Sequence, residues 1–412
     1  MINNRPNIFE FATKELSQDA MVYWLLKCLD SQDSAYRQIG LDFIRLILDG
    51  TGIPVDTIKL DPCTPTKECH MDVYAVIYTQ NKLYPIIFED KTNTYLHNEQ
   101  IERYSTTVAE WMRPHRRKKD DYLHTISERM GLSGDVQWGE IVFVYYKTGY
   151  PFGWQQNDLL KQQASAEKKV KEMGCNVVFK NIYLEDMVGF LRKHNNDPLL
   201  LDYCSALETK LCRRRFAEEN CLVSAESCQQ ALSNEIGSNE TAIGSLFAEC
   251  FGKDTWFSYS HQCWATMDLV ATQNEWYDDK QPNRIYYGFR FEQCSYGNKK
   301  SAYAFQFYQY RNEGAIKESK AVQLQKKIVE ANQILELCKR IIVEVAQKGI
   351  EVVYLKPHEQ LAKSFNDQKL FKVFVAGDNN PKQVCAFIRA FSERFCQHAT
   401  EIGGEVCNDV FG

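Results

Sequence analysis

Residues His70 to Tyr104, HMDVYAVIYTQNKLYPIIFEDKTNTYLHNEQIERY, constrain this chain more than any other stretch. Two runs rich in β-branched and aromatic residues, near 70–78 and 84–91, flank the polar Thr79-Gln80-Asn81-Lys82. That pattern predicts a β-hairpin rather than a buried helix. The amphipathic segment from Thr94 to Trp111 predicts a helix directly after it. Asp72, Glu89, Asp90 and Lys91 stand at the ends of otherwise apolar strands, where burial alone would not put them.

Register decides whether these groups meet. With Gln80 and Asn81 at the tip, Asp72 falls opposite Glu89 with both side chains on one face, whereas a slip of one residue sets Asp90 there instead. Glu89 and Lys91 share a face by strand alternation, and Ile86, Phe88 and Asp90 take the other. On the following helix Gln100 and Tyr104 are one turn apart and project together towards the hairpin, with Asn98 and Arg103 beside them. An amide and a phenol can both hydrogen-bond a phosphate or a base edge.

These residue types suit phosphodiester hydrolysis. Hard Mg²⁺ takes oxygen ligands, usually one or two carboxylates with the remaining positions left to water and substrate. Asp72 and Glu89 can supply the carboxylates, and Lys91 can orient the attacking water or stabilise the developing negative charge.

The rest of the first half supplies a framework. Helices are expected from Lys14 to Leu29, capped by Thr13, and from Ala35 to Leu48, stopping at Asp49-Gly50. EIVFVYYK (140–147) reads as a third strand, a charged helix follows over 158–173, and a fourth strand (176–183) leads into a helix over 184–193. A mixed central sheet flanked by helices on both sides, an α/β arrangement, accounts for this order, and the first domain is expected to span 1–215. Residues 216–241, rich in Ser, Asn, Glu and Gln, read as a linker or small helical connector.

From 242 to 412 an α+β domain is expected, with antiparallel strands around 284–291 and 301–310. A long helix over 317–348 carries Leu324, Ile328, Ala331, Leu335, Cys338, Ile342 and Val345 at alternating spacings of four and three. That seam is either a homodimer contact or the face of a helix laid across its own domain's sheet.

Composition narrows the partners. Among 412 residues, 44% are hydrophobic and 25% charged, as in ordinary globular proteins, and the net charge is −5. Any nucleic acid must therefore be met by local positive patches. Arg113, His115, Arg116, Arg117, Lys118 and Lys119 form one such patch after the candidate helix, and Arg213, Arg214 and Arg215 another. The polar N-terminus and the lack of a membrane-length apolar run predict a cytoplasmic protein. The 15 cysteines are scattered without a CxxC, so reduced, mostly buried thiols are expected; Cys63, Cys69 and His70 lack zinc-knuckle spacing.

Asp72-Val73, Glu89-Asp90-Lys91 and Gln100-x-x-x-Tyr104 together resemble the core of the PD-(D/E)xK nuclease superfamily, in its RecB-like form with a QxxxY helix. TKELSQDAMVYWLLKCLD resembles the first helix of a bacterial branch of that superfamily. The resemblance covers roughly residues 8–195, with Met71 where the name-giving proline would stand.

It implies a restriction-endonuclease-like fold and a Mg²⁺-dependent nuclease, with Mn²⁺ able to substitute, acting on DNA more readily than RNA in restriction, repair or bacterial defence. Asp72 and Glu89 would bind the metal, the main-chain carbonyl of Asp90 would add a ligand, Glu15 would complete the acidic site, and Lys91 would serve the water. Structural alternatives stand beside these roles. Glu15 can simply favour the helix dipole, and Tyr104 can be a core tyrosine. The whole chain can also be a catalytically silent binding module on the same fold.

Overall fold

The computed structural model describes residues 15–92, 94–96, 99–113, 121–233, 238–260, 264–273, 284–296, 299–311, 320–355, 367–375 and 379–407. It is a mixed α/β protein that divides into two compact units, residues 1–151 with 155–211, and residues 152–154 with 212–412. The division falls inside a single helix, Pro198–Asn220. Among the described residues no helix is long and apolar enough to cross a membrane.

The first unit is built on a six-stranded mixed sheet. Its strands are β1 (Lys59–Leu60), β2 (Val73–Thr79), β3 (Lys82–Lys91), β4 (Gln137–Trp138), β5 (Ile141–Lys147) and β6 (Val177–Tyr183), in the order β1-β2-β3-β5-β6 with β4 also on β3. β1, β2 and β3 pair antiparallel, whereas β3, β5 and β6 run parallel. Pro85 lies inside central β3 because the ladder is broken there: β4 pairs only as far as Leu83, and β5 begins at Ile86.

Helices cover both faces. On one side α1 (Glu15–Lys27), α2 (Ser34–Leu48), α6 (Leu184–Arg192) and α7 (Pro198–Asn220) pack residues such as Leu25, Phe43, Ile47, Leu191 and Leu200 against Val73, Ala75, Ile86 and Phe88. On the other, α3 (Gln100–Trp111), α4 (Tyr122–Arg129) and α5 (Gly153–Glu172) bring Ile101, Val108, Ile126 and Leu159 onto Tyr74, Val76, Ile87 and Phe143. Since both faces are buried, β2, β3 and β5 read as near-continuous apolar runs. A charge within them is therefore conspicuous. α2 is capped by Asp33, whose carboxylate accepts the Ala35 N–H. α3 starts at Gln100, six residues later than its amphipathic pattern suggests.

The second unit holds α8 (Ala225–Ala231), α9 (Ser238–Phe251), β7 (Ser258–Ser260), β8 (Trp264–Gln273), β9 (Arg284–Tyr296), β10 (Lys299–Arg311), α10 (Lys320–Glu344), β11 (Val352–Tyr354), β12 (Asp367–Phe374), α11 (Pro381–Gln397) and β13 (Gly404–Val406). All its strand pairs are antiparallel, in the order β11-β12-β10-β9-β8-β13 with β7 also on β8. Phe289, Phe307 and Phe371 from the sheet meet Phe391 and Phe395 of α11 with ring centroids about 5–6 Å apart. The segment 216–241, expected as a linker or small helical connector, is helical over 216–220, 225–231 and 238–241. Among the described side chains of the four-three seam, Ala331, Leu335, Cys338 and Ile342 are buried and Ile328 and Val345 half-buried; the neighbouring Ile334, Leu337 and Ile341 are buried as well. That part of the stripe packs into the unit's own core, as a helix laid across its own domain's sheet would.

Candidate metal and active site

Hairpin geometry positions the site. Gln80 and Asn81 both adopt left-handed φ values, 46° and 60°, as a two-residue turn that follows the strand twist requires. Pairing then runs from Thr79–Lys82 to Val73–Phe88. The next step of that register sets Asp72 across from Glu89, as expected from sequence. There Asp72 Oδ2 accepts the Asp90 N–H at 3.0 Å, closing the open end of the ladder.

Asp90 shares the face of Ile86 and Phe88 and so points towards α1. Gln18 of α1 donates from Nε2 to Asp90 Oδ2 at 2.9 Å and accepts the Thr148 hydroxyl, which follows β5. Asp19, its sequence neighbour, is also buried, and one carboxylate oxygen from each of Asp19, Asp72 and Asp90 lies within 4.8 Å of the other two. Carboxylates held this close repel one another unless a cation or protons intervene. The Tyr23 hydroxyl, one turn along α1, is pushed up to about 12 by burial and then by Asp19, Asp72 and Glu68.

Asp90 was expected to contribute its main-chain carbonyl; it is its side chain that joins the acidic group. α1 starts at Glu15, whose side chain lies outside the described residues. The acid that α1 is seen to bring is Asp19, one helical turn further on.

The opposite face of β3 carries Glu89 and Lys91, both buried. Glu89 Oε1 accepts from the Lys91 ammonium and, at 2.7 Å, from Gln100 Nε2. Burial pushes the Glu89 carboxyl up to about 7; the nearby Asp72 carboxylate adds to this and Lys91 opposes it. Its other oxygen, Oε2, is buried with no hydrogen-bond partner among the described residues. An unsatisfied buried carboxylate oxygen is costly, and this one can be satisfied by a cation or by a proton shared with Asp72, whose carboxyl interacts with that of Glu89. Asp72 next to Glu89, and the group it forms with Asp19 and Asp90, offer hard oxygens only, which fit a divalent ion such as Mg²⁺ and not a soft metal.

Gln100 and Tyr104 converge on the hairpin, but their bonds are internal. The Tyr104 hydroxyl donates to the His70 carbonyl at 2.9 Å, and Arg103 lies over its ring at 4.9 Å while donating to its oxygen at 3.2 Å. The amide thus steadies Glu89, and the phenol ties the loop before Asp72 to α3. His70 itself is exposed with φ +70° and is not part of the acidic group. Arg113 is exposed just beyond α3; Asn98, Arg116, Arg117, Lys118 and Lys119 lie outside the described residues, as does His115. In the second basic run Arg214 pairs with Glu218 of its own helix at 3.4 Å.

Several residues escaped the sequence reading. Asp19 carried a usable signal, being four residues after Glu15 on the same helix. Gln18, Thr148 and Lys67 carried none, because only the tertiary fold brings them to the hairpin. Lys147, paired with Lys91 across β3 and β5 and equally buried, donates to the Thr94 carbonyl at 2.7 Å and holds the segment leading into α3. No family model matches the chain, nor does any curated protein or solved structure.

Proposed function

We propose that the chain is a Mg²⁺-dependent nuclease of the PD-(D/E)xK type with a restriction-endonuclease-like first unit, hydrolysing phosphodiester bonds of DNA in preference to RNA. The observation that carries this reading is the convergence, at one end of a buried hairpin, of carboxylate oxygens from Asp19, Asp72 and Asp90, with buried Glu89 interacting with Asp72 beside them. Carboxylates this close are unfavourable unless a cation or protons intervene. Glu-x-Lys on the central strand, with Gln100 bonded to the glutamate from the next helix, supports the family assignment.

A divalent ion bound there would be held by the carboxylates of Asp19, Asp72 and Asp90, with Glu89 next to Asp72, and would neutralise charge on the phosphate. The chain's own groups would do the rest. Lys91, fixed against Glu89, presents an ammonium that can hold a water and stabilise negative charge on the phosphoryl oxygens. Gln100 keeps Glu89 from turning away, and Lys147 with Tyr104 fixes the two segments that enter the site. Hydrolysis adds the water oxygen to phosphorus, breaks one P–O ester bond and leaves the departing oxygen protonated.

The test is cleavage of labelled DNA and RNA with Mg²⁺ or Mn²⁺. Glu89→Gln and Lys91→Ala are expected to lose cutting by at least about a hundredfold while retaining the native circular dichroism spectrum. Undiminished cutting by both variants would overturn the site. Tight binding without cutting by the unsubstituted chain, with either ion, would overturn the enzymatic reading in favour of a silent binding module.

A further inference from the structure

The acidic site already has one cation near it. Lys67 extends its ammonium to 3.9 Å from Asp19 Oδ2 and 4.0 Å from Asp72 Oδ1, and its side chain is 56% exposed. Its backbone is held on both sides. Thr66 and Tyr74 exchange backbone hydrogen bonds of 2.9 and 2.8 Å, and the Met71 N–H closes a turn onto the Glu68 carbonyl at 2.8 Å. The loop is therefore a short antiparallel clasp in which Lys67 and Asp72 face each other, while Tyr104 fixes it to α3 through the His70 carbonyl.

Both ion pairs are at the outer limit for contact, and neither excludes water. That geometry belongs to a cation hovering over the carboxylates rather than one locked between them. Buried Glu89, whose carboxyl interacts with that of Asp72, adds a further acidic group next to the two carboxylates that Lys67 faces.

Resting on the nuclease reading above, we propose that Lys67 is a displaceable counter-ion of this site. Its ammonium balances Asp19 and Asp72 while no metal is bound. A divalent ion entering the carboxylates displaces it outward, and the long, mobile side chain then meets a non-bridging oxygen of the substrate's phosphate. The loop clasp keeps the ammonium within reach of both positions, so metal entry and phosphate recognition use one residue in succession.

Mn²⁺ titration without nucleic acid tests the first half, using the unsubstituted chain, Lys67→Met, Lys67→Arg and Asp90→Asn, followed by calorimetry and by the Mn²⁺ electron-paramagnetic signal. Exposed ion pairs of this kind hold a fraction of a kcal/mol to about 1 kcal/mol each, so Lys67→Met is expected to bind Mn²⁺ about three- to tenfold more tightly, with Lys67→Arg near the native affinity. The second half is read by the anisotropy of a short labelled DNA duplex at saturating Mn²⁺, in a Lys91→Ala background that does not cut. Adding Lys67→Met is expected to weaken duplex binding about threefold or more.

Unchanged or weaker Mn²⁺ binding by Lys67→Met, with Asp90→Asn abolishing it, overturns the role of Lys67 and leaves the metal site standing. Tighter metal binding with unchanged duplex binding overturns the phosphate contact. If no Mn²⁺ binding sensitive to Asp90→Asn exists at all, the nuclease reading fails and the lysine's role with it.

Discussion

Glu89→Gln offers a test of the site that needs no substrate. Burial raises the Glu89 carboxyl from 4.5 to about 7. Between those values the unfolded chain has lost the proton and the folded chain still holds it, so rising pH favours unfolding. The contribution of the neutral form is fully present below about 4.5 and is lost as pH rises through about 7. At about 1.4 kcal/mol per pH unit the loss amounts to about 3 kcal/mol.

Glutamine keeps the shape and the hydrogen-bonding reach to Gln100 but has no proton to lose. Relative to the native chain, the variant is therefore expected to gain about 3 kcal/mol between pH 4 and pH 8, read from urea unfolding without metal at several pH values. Carboxylates common to both proteins cancel in that difference. Mn²⁺ at pH 8 should reverse the order, because a cation favours the ionised glutamate and stabilises the native chain more than the variant. Parallel pH profiles for the two proteins, with metal making no difference, would refute the argument that Glu89 is a buried carboxyl awaiting a cation.

Other consequences are structural. Asp61 is fully buried and bonded by the half-buried Arg129, 2.7 Å from its Nε. Arg129→Met should destabilise the first unit by about 3 kcal/mol in urea unfolding, and adding Asp61→Asn should recover part of that, because the cost lies in the stranded charge. Tyr104→Phe removes the bond to the His70 carbonyl and is expected to cost about 1 kcal/mol; it should also lower Mn²⁺ affinity, since that loop carries Asp72. In the second unit Phe307, packed against Phe289, Phe371, Phe391 and Phe395, should cost about 4 kcal/mol when changed to alanine, read as a shift of that unit's unfolding transition.

Much of the first unit was legible from local pattern. Side chains alternate along a strand, so the sequence narrowed the hairpin to a register with Gln80 and Asn81 at the tip or one slipped by a residue, and the left-handed backbone of those two residues selects the first. The Gln100/Tyr104 pair was equally visible, because residues four apart on a helix share a face. The late start of α3 was not, since the amphipathic pattern begins at Thr94 whereas the helix begins at Gln100. Strand β8 and helices α4, α7 and α9 also went unread; α7 and α9 lack a sharp one-sided stripe, and periodicity identifies only elements that bury one face.

By itself, then, the sequence determined the hairpin and the presence of acids and a lysine at the end of its apolar strands. Only the tertiary structure decided which carboxylates meet. Asp90 points to α1, where Gln18 and Asp19 await it, and Glu89 is drawn to Lys91 and Gln100 on the other face. Lys67 arrives through a loop clasp that no spacing announces. The physical reason is that strand and helix periods fix directions within an element, whereas the distance between a helix and a strand end depends on how the core packs around both.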